Sequence, residues 1–104
     1  MRKLKEKEKK LVQKLLSLTE EYSFNIEDKL VEEMDDGKMG SLYFVCENTP
    51  KEKRKMGKEI SKLEFKDSDD ILVSVSLNID NADRLFELDI WKVDFSQLKS
   101  YPSF

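Results

Sequence analysis

Apolar residues near the N-terminus recur at the spacing of one helix face. They are Leu4, Leu11, Val12, Leu15, Leu16 and Leu18. The pattern predicts an amphipathic helix over about residues 5–19. No Ser, Thr, Asp or Asn precedes this segment as an N-cap, so we expect packing of the stripe on a sheet to stabilise it.

Strict alternation of apolar and polar residues predicts strands further along the chain. The clearest is 71–79, in which Ile71, Val73, Val75, Leu77 and Ile79 face one way. A charged strand at 58–66 precedes it and a longer one at 85–95 follows it, separated by Asp-rich turns. Because short connections place sequential strands side by side, these segments predict an antiparallel meander.

Residues 25–46 fit two structures. Ile26, Leu30 and Met34 have helical spacing with Asn25 as N-cap, whereas strands at 30–35 and 41–46 around an Asp-Gly turn would form a hairpin. The Asp-Gly pair favours the hairpin. The predicted fold is α+β: a single domain over 1–104, with an N-terminal amphipathic helix packed on an antiparallel β-meander of about five strands. Residues 47–57, rich in Lys and Arg, are predicted to form an exposed connector.

The predicted strand 85–95 contains the only Trp and breaks regular alternation. Its apolar residues lie at even positions from Phe86 to Ile90, and then at odd positions from Trp91, on the side that carries Glu87 and Asp89. Either a bulge near Ile90–Trp91 turns Trp91 into the core, or Trp91 stands exposed beside the two acids. We favour the bulge. The other arrangement would make Glu87, Asp89 and Trp91 a partner-binding patch, since Trp anchors dominate interface energetics.

Composition limits the chemistry. Charged residues make up 39% of the chain, well above the roughly 25% of an average protein, so the core is small. The absence of His excludes His-based acid–base catalysis and His metal ligands. With Cys46 as the only Cys, an internal disulfide, a Cys-based zinc site and a Cys–His pair are excluded as well. The sequence therefore favours a protein that is not an enzyme and indicates no cofactor.

Charge alternates in blocks along the chain. Residues 1–14 and 51–66 carry net charges of +5 and +4, and residues 15–50 and 67–104 carry −7 and −5. The basic blocks are candidate nucleic-acid contacts, but their interleaved Glu residues and the acidic pI of 5.1 argue against that function. No apolar run has the length of a signal peptide or membrane span, so we expect a cytoplasmic protein without membrane contact.

Acidic residues concentrate at one predicted rim of the sheet. Alternate turns of a meander share an edge, and that edge would collect Asp35, Asp36, Asp67, Asp69, Asp70 and Asp94. Carboxylate oxygens suit Mg²⁺ or Ca²⁺, which makes these residues candidate metal ligands. The 67–70 stretch does not match an EF-hand loop, because Ile71 stands where an oxygen ligand is required. We favour solvated turn residues.

Two segments resemble the signatures of a small bacterial family of uncharacterised proteins. They are DGKMGSL at 36–42 and ELDIWKVDFS at 87–96, with Lys38 standing where the family has Gly. The resemblance extends to about residue 98. It implies a bacterial cytoplasmic protein of helix-plus-sheet type and supports the hairpin at 30–46, but it implies no activity and no catalytic residues.

Three functions follow as hypotheses. The leading one is a non-enzymatic protein-interaction module, accessory or inhibitor-like, whose blocks of opposite charge suit electrostatic steering towards another protein. The alternatives are a metal-binding enzyme or sensor at the Asp-rich rim, and a nucleic-acid-binding protein. An open sheet edge also permits a homodimer.

Overall fold

One helix packs on one face of an antiparallel sheet in the computed structural model, which describes residues 1–46 and 48–102. The helix α1 spans Glu6–Ser17. The strands are β1 (Arg2–Lys3), β2 (Leu30–Glu33), β3 (Leu42–Phe44), β4 (Met56–Lys66), β5 (Leu72–Asp80) and β6 (Leu85–Lys92). Within these residues they form one six-stranded sheet in the order β1-β2-β3-β6-β5-β4.

The α+β class is confirmed, but the five-strand meander is wrong in two respects. The sheet has a sixth strand, β1, which is only two residues long and therefore too short to show alternation in the sequence. In addition, β6 lies between β3 and β5, which leaves β4 at the edge. Seven of the eleven residues of β4 are exposed and five of those are Lys or Glu, as is usual for an edge strand. Strand β6 has four apolar residues buried among its eight and lies inside the sheet.

The core lies between α1 and the sheet. The helix contributes Leu11, Val12 and Leu15, and all three are fully buried. The predicted alternation of β5 is confirmed, because Val73, Val75, Leu77 and Ile79 are buried on the helix side. The Ser61 hydroxyl of β4 donates to the carbonyl of Leu15, 2.6 Å away, and so ties the edge strand to α1.

An acidic side chain defines the start of α1 instead of the usual N-cap. The buried Glu8 carboxylate accepts the backbone N–H of Lys5 at 2.7 Å and two bonds from the Arg2 guanidinium at 2.7 and 2.9 Å. Burial alone would raise the pKa of Glu8, but these bonds outweigh it and the pKa is lowered. Glu8 therefore joins the first strand to the helix.

The hairpin prediction for residues 30–46 is confirmed. Strands β2 and β3 pair antiparallel, with Glu32 opposite Tyr43. Asp36 closes the turn, because its carboxylate accepts the backbone N–H groups of Met39 and Ser41. Lys38 adopts a left-handed backbone conformation (φ 64°), which Gly adopts more easily.

Candidate functional site

The sheet face opposite α1, which we call the open face, carries alternate residues of β5 and β6. Strand β6 contributes Glu87, Asp89 and Trp91 to this face, while Leu88 and Ile90 point into the core. The predicted bulge near Ile90–Trp91 is wrong, because the register between β5 and β6 is regular from Asn78 opposite Glu87 to Val73 opposite Lys92. The bulge lies instead at Phe86, between the pairs Ile79–Leu85 and Asn78–Glu87. Trp91 therefore faces outward.

Trp91 belongs to a group of exposed apolar residues at one end of the open face. We call this group the Trp91 patch; its exposed fractions are Leu72 37%, Trp91 48%, Val93 40% and Phe95 69%. The Trp91 and Phe95 rings contact each other with centroids 6.1 Å apart. Val93 lies beside Leu72, whose carbonyl accepts its N–H at 3.0 Å. Contiguous exposed apolar surface of this kind marks interaction sites.

Short side chains border the patch on the side of β5. Ser74 lies opposite Trp91, and Ser76 lies opposite Asp89. Opposed residues in an antiparallel sheet share a face with Cβ atoms about 5 Å apart, so a large residue at position 74 would cover the indole. Serine leaves the ring accessible on that side.

The opposite end of the open face is covered by the connector after β3. Arg54 is buried there, contrary to the prediction that the whole connector is exposed. Its Nε donates to the Asp80 carboxylate at 2.9 Å, and its two terminal nitrogens donate to the carbonyls of Phe44 and Leu85. Its guanidinium also lies 4.8 Å from the centre of the Phe86 ring. The accessible part of the open face is therefore the half that contains Trp91.

Two of the six candidate metal ligands bind a lysine instead. The ammonium of the fully buried Lys92 donates to Asp67 at 2.9 Å, to Asp69 at 2.7 Å and to the carbonyl of Gln97 at 3.0 Å. Asp67 also accepts the backbone N–H groups of Lys99 and Ser100. Burial opposes the charge on Asp67, but the bonds from Lys92 and the backbone outweigh it and hold the pKa of this carboxyl well below its usual range.

The other four candidate ligands are dispersed along the same end of the sheet. Asp36 is engaged in its own turn, Asp94 accepts from Ser96, and Asp70 lies 3.6 Å from Lys66. Asp35 is exposed. In residues 1–46 and 48–102 no three His, Cys, Asp or Glu side chains are grouped so that they could hold a metal ion. The metal-binding alternative therefore stays a prediction without a defined ligand set.

Two lysines of the basic segments have acidic partners. Lys9 pairs with Glu27 at 2.8 Å, and Lys51 pairs with Glu32 at 3.1 Å. Nucleic-acid binding thus stays a prediction as well. Cys46 is half-buried, and its sulfur accepts from the Arg84 guanidinium at 3.0 Å. No helix in the described part of the chain has the length and apolar character needed to cross a membrane.

The structure brings the three partner-binding candidates together on one face and adds residues that the sequence analysis did not select. Glu87, Asp89 and Trp91 line up along β6, with Asp89 and Trp91 exposed and Glu87 half-buried. Leu72 and Phe95 complete the apolar surface. The sequence did contain an indication for Leu72. It is an apolar residue on the otherwise polar side of the clearest alternating strand, the side that carries Ser74.

Fold and surface together define a class: a small α+β protein with a helix covering one face of an antiparallel sheet and an accessible, partly apolar surface on the other. The chain belongs to the family described as "Domain of unknown function (DUF6984)", whose model matches residues 1–102. This membership agrees with the predicted resemblance to an uncharacterised family, while the two signature segments stay a prediction. No curated protein and no solved structure matches the chain.

Proposed function

We propose that the protein is a non-enzymatic interaction module, accessory or inhibitor-like, that binds another protein through the Trp91 patch. The observation that carries the proposal is the 48% exposure of Trp91 on an uncovered sheet face. A fold that only needed Trp91 for stability would bury it, because burying an aromatic side chain contributes about 2–3 kcal/mol. Tryptophan is also the residue most enriched among energetic anchors of interfaces.

The surroundings of Trp91 support an interface more than a small-molecule site. The patch lies on the surface of a sheet and not in an enclosed cavity, and its polar neighbours Ser74, Asp89 and Glu87 provide the polar rim that interfaces have. The backbone of Trp91 is part of a regular antiparallel ladder. The ladder fixes the position of Trp91 before a partner arrives, which reduces the entropy lost on binding.

Affinity capture with matched variants tests the proposal. The wild-type protein, Trp91→Ala and Leu18→Ala serve as baits in an extract of the organism that encodes the chain. Leu18 is a suitable control because it is 53% exposed at the end of α1 and away from the open face. We expect one protein to be retained by the wild type and by Leu18→Ala but not by Trp91→Ala. The proposal fails if no protein is enriched, or if Trp91→Ala retains the same proteins as the wild type.

A second copy of the chain is the other occupant that the capture experiment must separate. Sedimentation velocity of the purified protein makes that distinction. A dimer that Trp91→Ala dissociates would identify the patch as a self-association surface and would contradict the proposal of a different partner protein.

A further inference from the structure

Neither acidic residue beside Trp91 forms an ion pair within 4 Å of a cation among the described residues, although the charge of Arg54 acts on Glu87 from further away. Asn78 lies opposite Glu87 on β5, and the Ser41 hydroxyl approaches the Asp89 carboxylate at 3.5 Å. Elsewhere in the fold the buried carboxylates of Glu8, Asp67 and Asp80 each bind a Lys or Arg. The two carboxylates next to the exposed Trp, one half-buried and one exposed, are therefore open to a cation from a partner.

Cations within the chain are too far away or already engaged. Lys62 shares the open face but lies on β4, opposite Ser76, so that a whole strand separates it from Asp89. Two strand spacings amount to about 10 Å. Arg54, the cation nearest to Glu87 along the covered half of the face, already donates to Asp80 and to two backbone carbonyls.

The three side chains form a row that matches one particular group. Glu87, Asp89 and Trp91 alternate along one strand, so successive side chains on this face are about 7 Å apart. A guanidinium is planar, can bond to carboxylates with two parallel N–H groups and stacks on indole rings. A lysine ammonium has the same charge but has neither the two parallel N–H donors nor the planar surface.

We infer that the partner presents an arginine next to an apolar residue. The guanidinium binds the carboxylate of Asp89 and stacks against the adjacent Trp91, and Glu87 adds negative charge on the other side of Asp89. The apolar residue packs on Leu72 and Phe95. This inference rests on the proposed function and deepens it by naming the chemistry of the partner. One further observation agrees with it. Burial and the nearby charge of Asp89 raise the pKa of Glu87 and outweigh the lowering by Asn78 and Arg54, and an incoming cation would relieve that cost.

Three peptides that differ only in their central side chain test the inference. Acetyl-Leu-Arg-Leu-amide is titrated to 20 mM into ¹⁵N-labelled protein at low salt, and the same peptide with citrulline or norleucine serves as the uncharged control. We expect the arginine peptide to shift the amide signals of Ser74, Ser76 and Asp89 and the indole N–H of Trp91, and to do so less at high salt. Equal shifts with citrulline, shifts that map elsewhere, or no shifts at all would overturn the inference.

Charge-removing variants complete the test. Glu87→Gln and Asp89→Asn should each weaken the arginine peptide about threefold, the range of a partly exposed ion pair, without lowering the melting temperature. Glu52→Gln, on the exposed 3₁₀ turn, is the matched control and should bind normally. If all three peptides bind equally at the patch and Trp91→Ala abolishes their binding, the inferred preference for arginine is wrong. The proposal that the patch is a binding surface is then still supported.

Discussion

Removing the charge of Arg54 should destabilise this protein strongly. Its guanidinium donates to three acceptors, the Asp80 carboxylate and the carbonyls of Phe44 and Leu85, and it is buried together with Asp80. Arg54→Met would leave two carbonyls without their donor and remove one cation from Asp80. Removing one partner of a buried ion pair costs about 3–5 kcal/mol.

The contacts that Asp80 would keep after Arg54→Met limit the loss of stability. Asp80 would keep the Arg84 guanidinium at 3.1 Å and the backbone N–H groups of Ala82 and Arg84, both at 2.9 Å. Its charge would therefore stay partly compensated, and we expect Arg54→Met to cost about 4 kcal/mol. That is a large part of the roughly 5–15 kcal/mol by which a domain of this size is stable. Arg54→Lys should cost about half as much, because an ammonium cannot reach all three acceptors.

Urea denaturation followed by circular dichroism measures these differences. Lys53→Met is the matched control, since Lys53 is the exposed neighbour of Arg54, and it should change stability by less than about 0.5 kcal/mol. An Arg54→Met protein within about 1 kcal/mol of the wild type, or an Arg54→Lys protein equal to the wild type, would refute the buried three-acceptor arrangement.

The remaining predictions concern other parts of the fold. Gly57→Ala should destabilise the protein strongly, because an added Cβ would clash with the carbonyl oxygen of Asp80. Gly37→Ala, where nothing lies within 4 Å, has only the cost of a positive φ, and thermal melts compare the two variants. Because the pKa of Asp67 is lowered in the folded state, its contribution to stability is present above its ordinary pKa near 4 and is lost as the pH falls below it. The urea midpoint should therefore decrease between about pH 5 and pH 2, and less so in Asp67→Asn; an equal decrease in both would contradict the Lys92–Asp67 pairing. If the Asp-rich rim binds a divalent cation, millimolar Mg²⁺, Mn²⁺ or Ca²⁺ must raise the melting temperature; we expect no rise, because Asp67 and Asp69 already bind Lys92.

Local sequence patterns correctly predicted the elements whose structure depends mainly on residues close together in the chain. The apolar positions of β5 alternate without interruption, and the turn at Asp36-Gly37 contains both the side chain and the backbone freedom that close the hairpin. These signals lie within a few residues of one another, so the chain around them has little influence. The helix and the hairpin were therefore predictable in position, with ends that differ by a few residues.

Long-range partners decided the features that were not predicted. Arg54 is buried because of Asp80, 26 residues away, and Lys92 because of Asp67, 25 residues away. In the sequence Arg54 lies among other charged residues and Lys92 lies between Trp91 and Val93, and nothing near either cation indicates a buried partner. The position of the bulge at Phe86 depends in the same way on how β6 is registered against β5. A strand that places Leu88, Ile90 and Lys92 on one face must place Trp91 on the other.

Photo-crosslinking from the Trp91 patch tests the central claim most directly. Phe95 is 69% exposed and contacts the Trp91 ring, so p-benzoylphenylalanine at position 95 would place a reactive group at the edge of the surface. The same group at position 18, exposed at the end of α1, is the control. If the open face binds a partner protein, irradiation of cells that produce the chain yields an adduct with another protein from position 95 and none from position 18. No adduct from position 95, or the same adduct from both positions, would contradict the account.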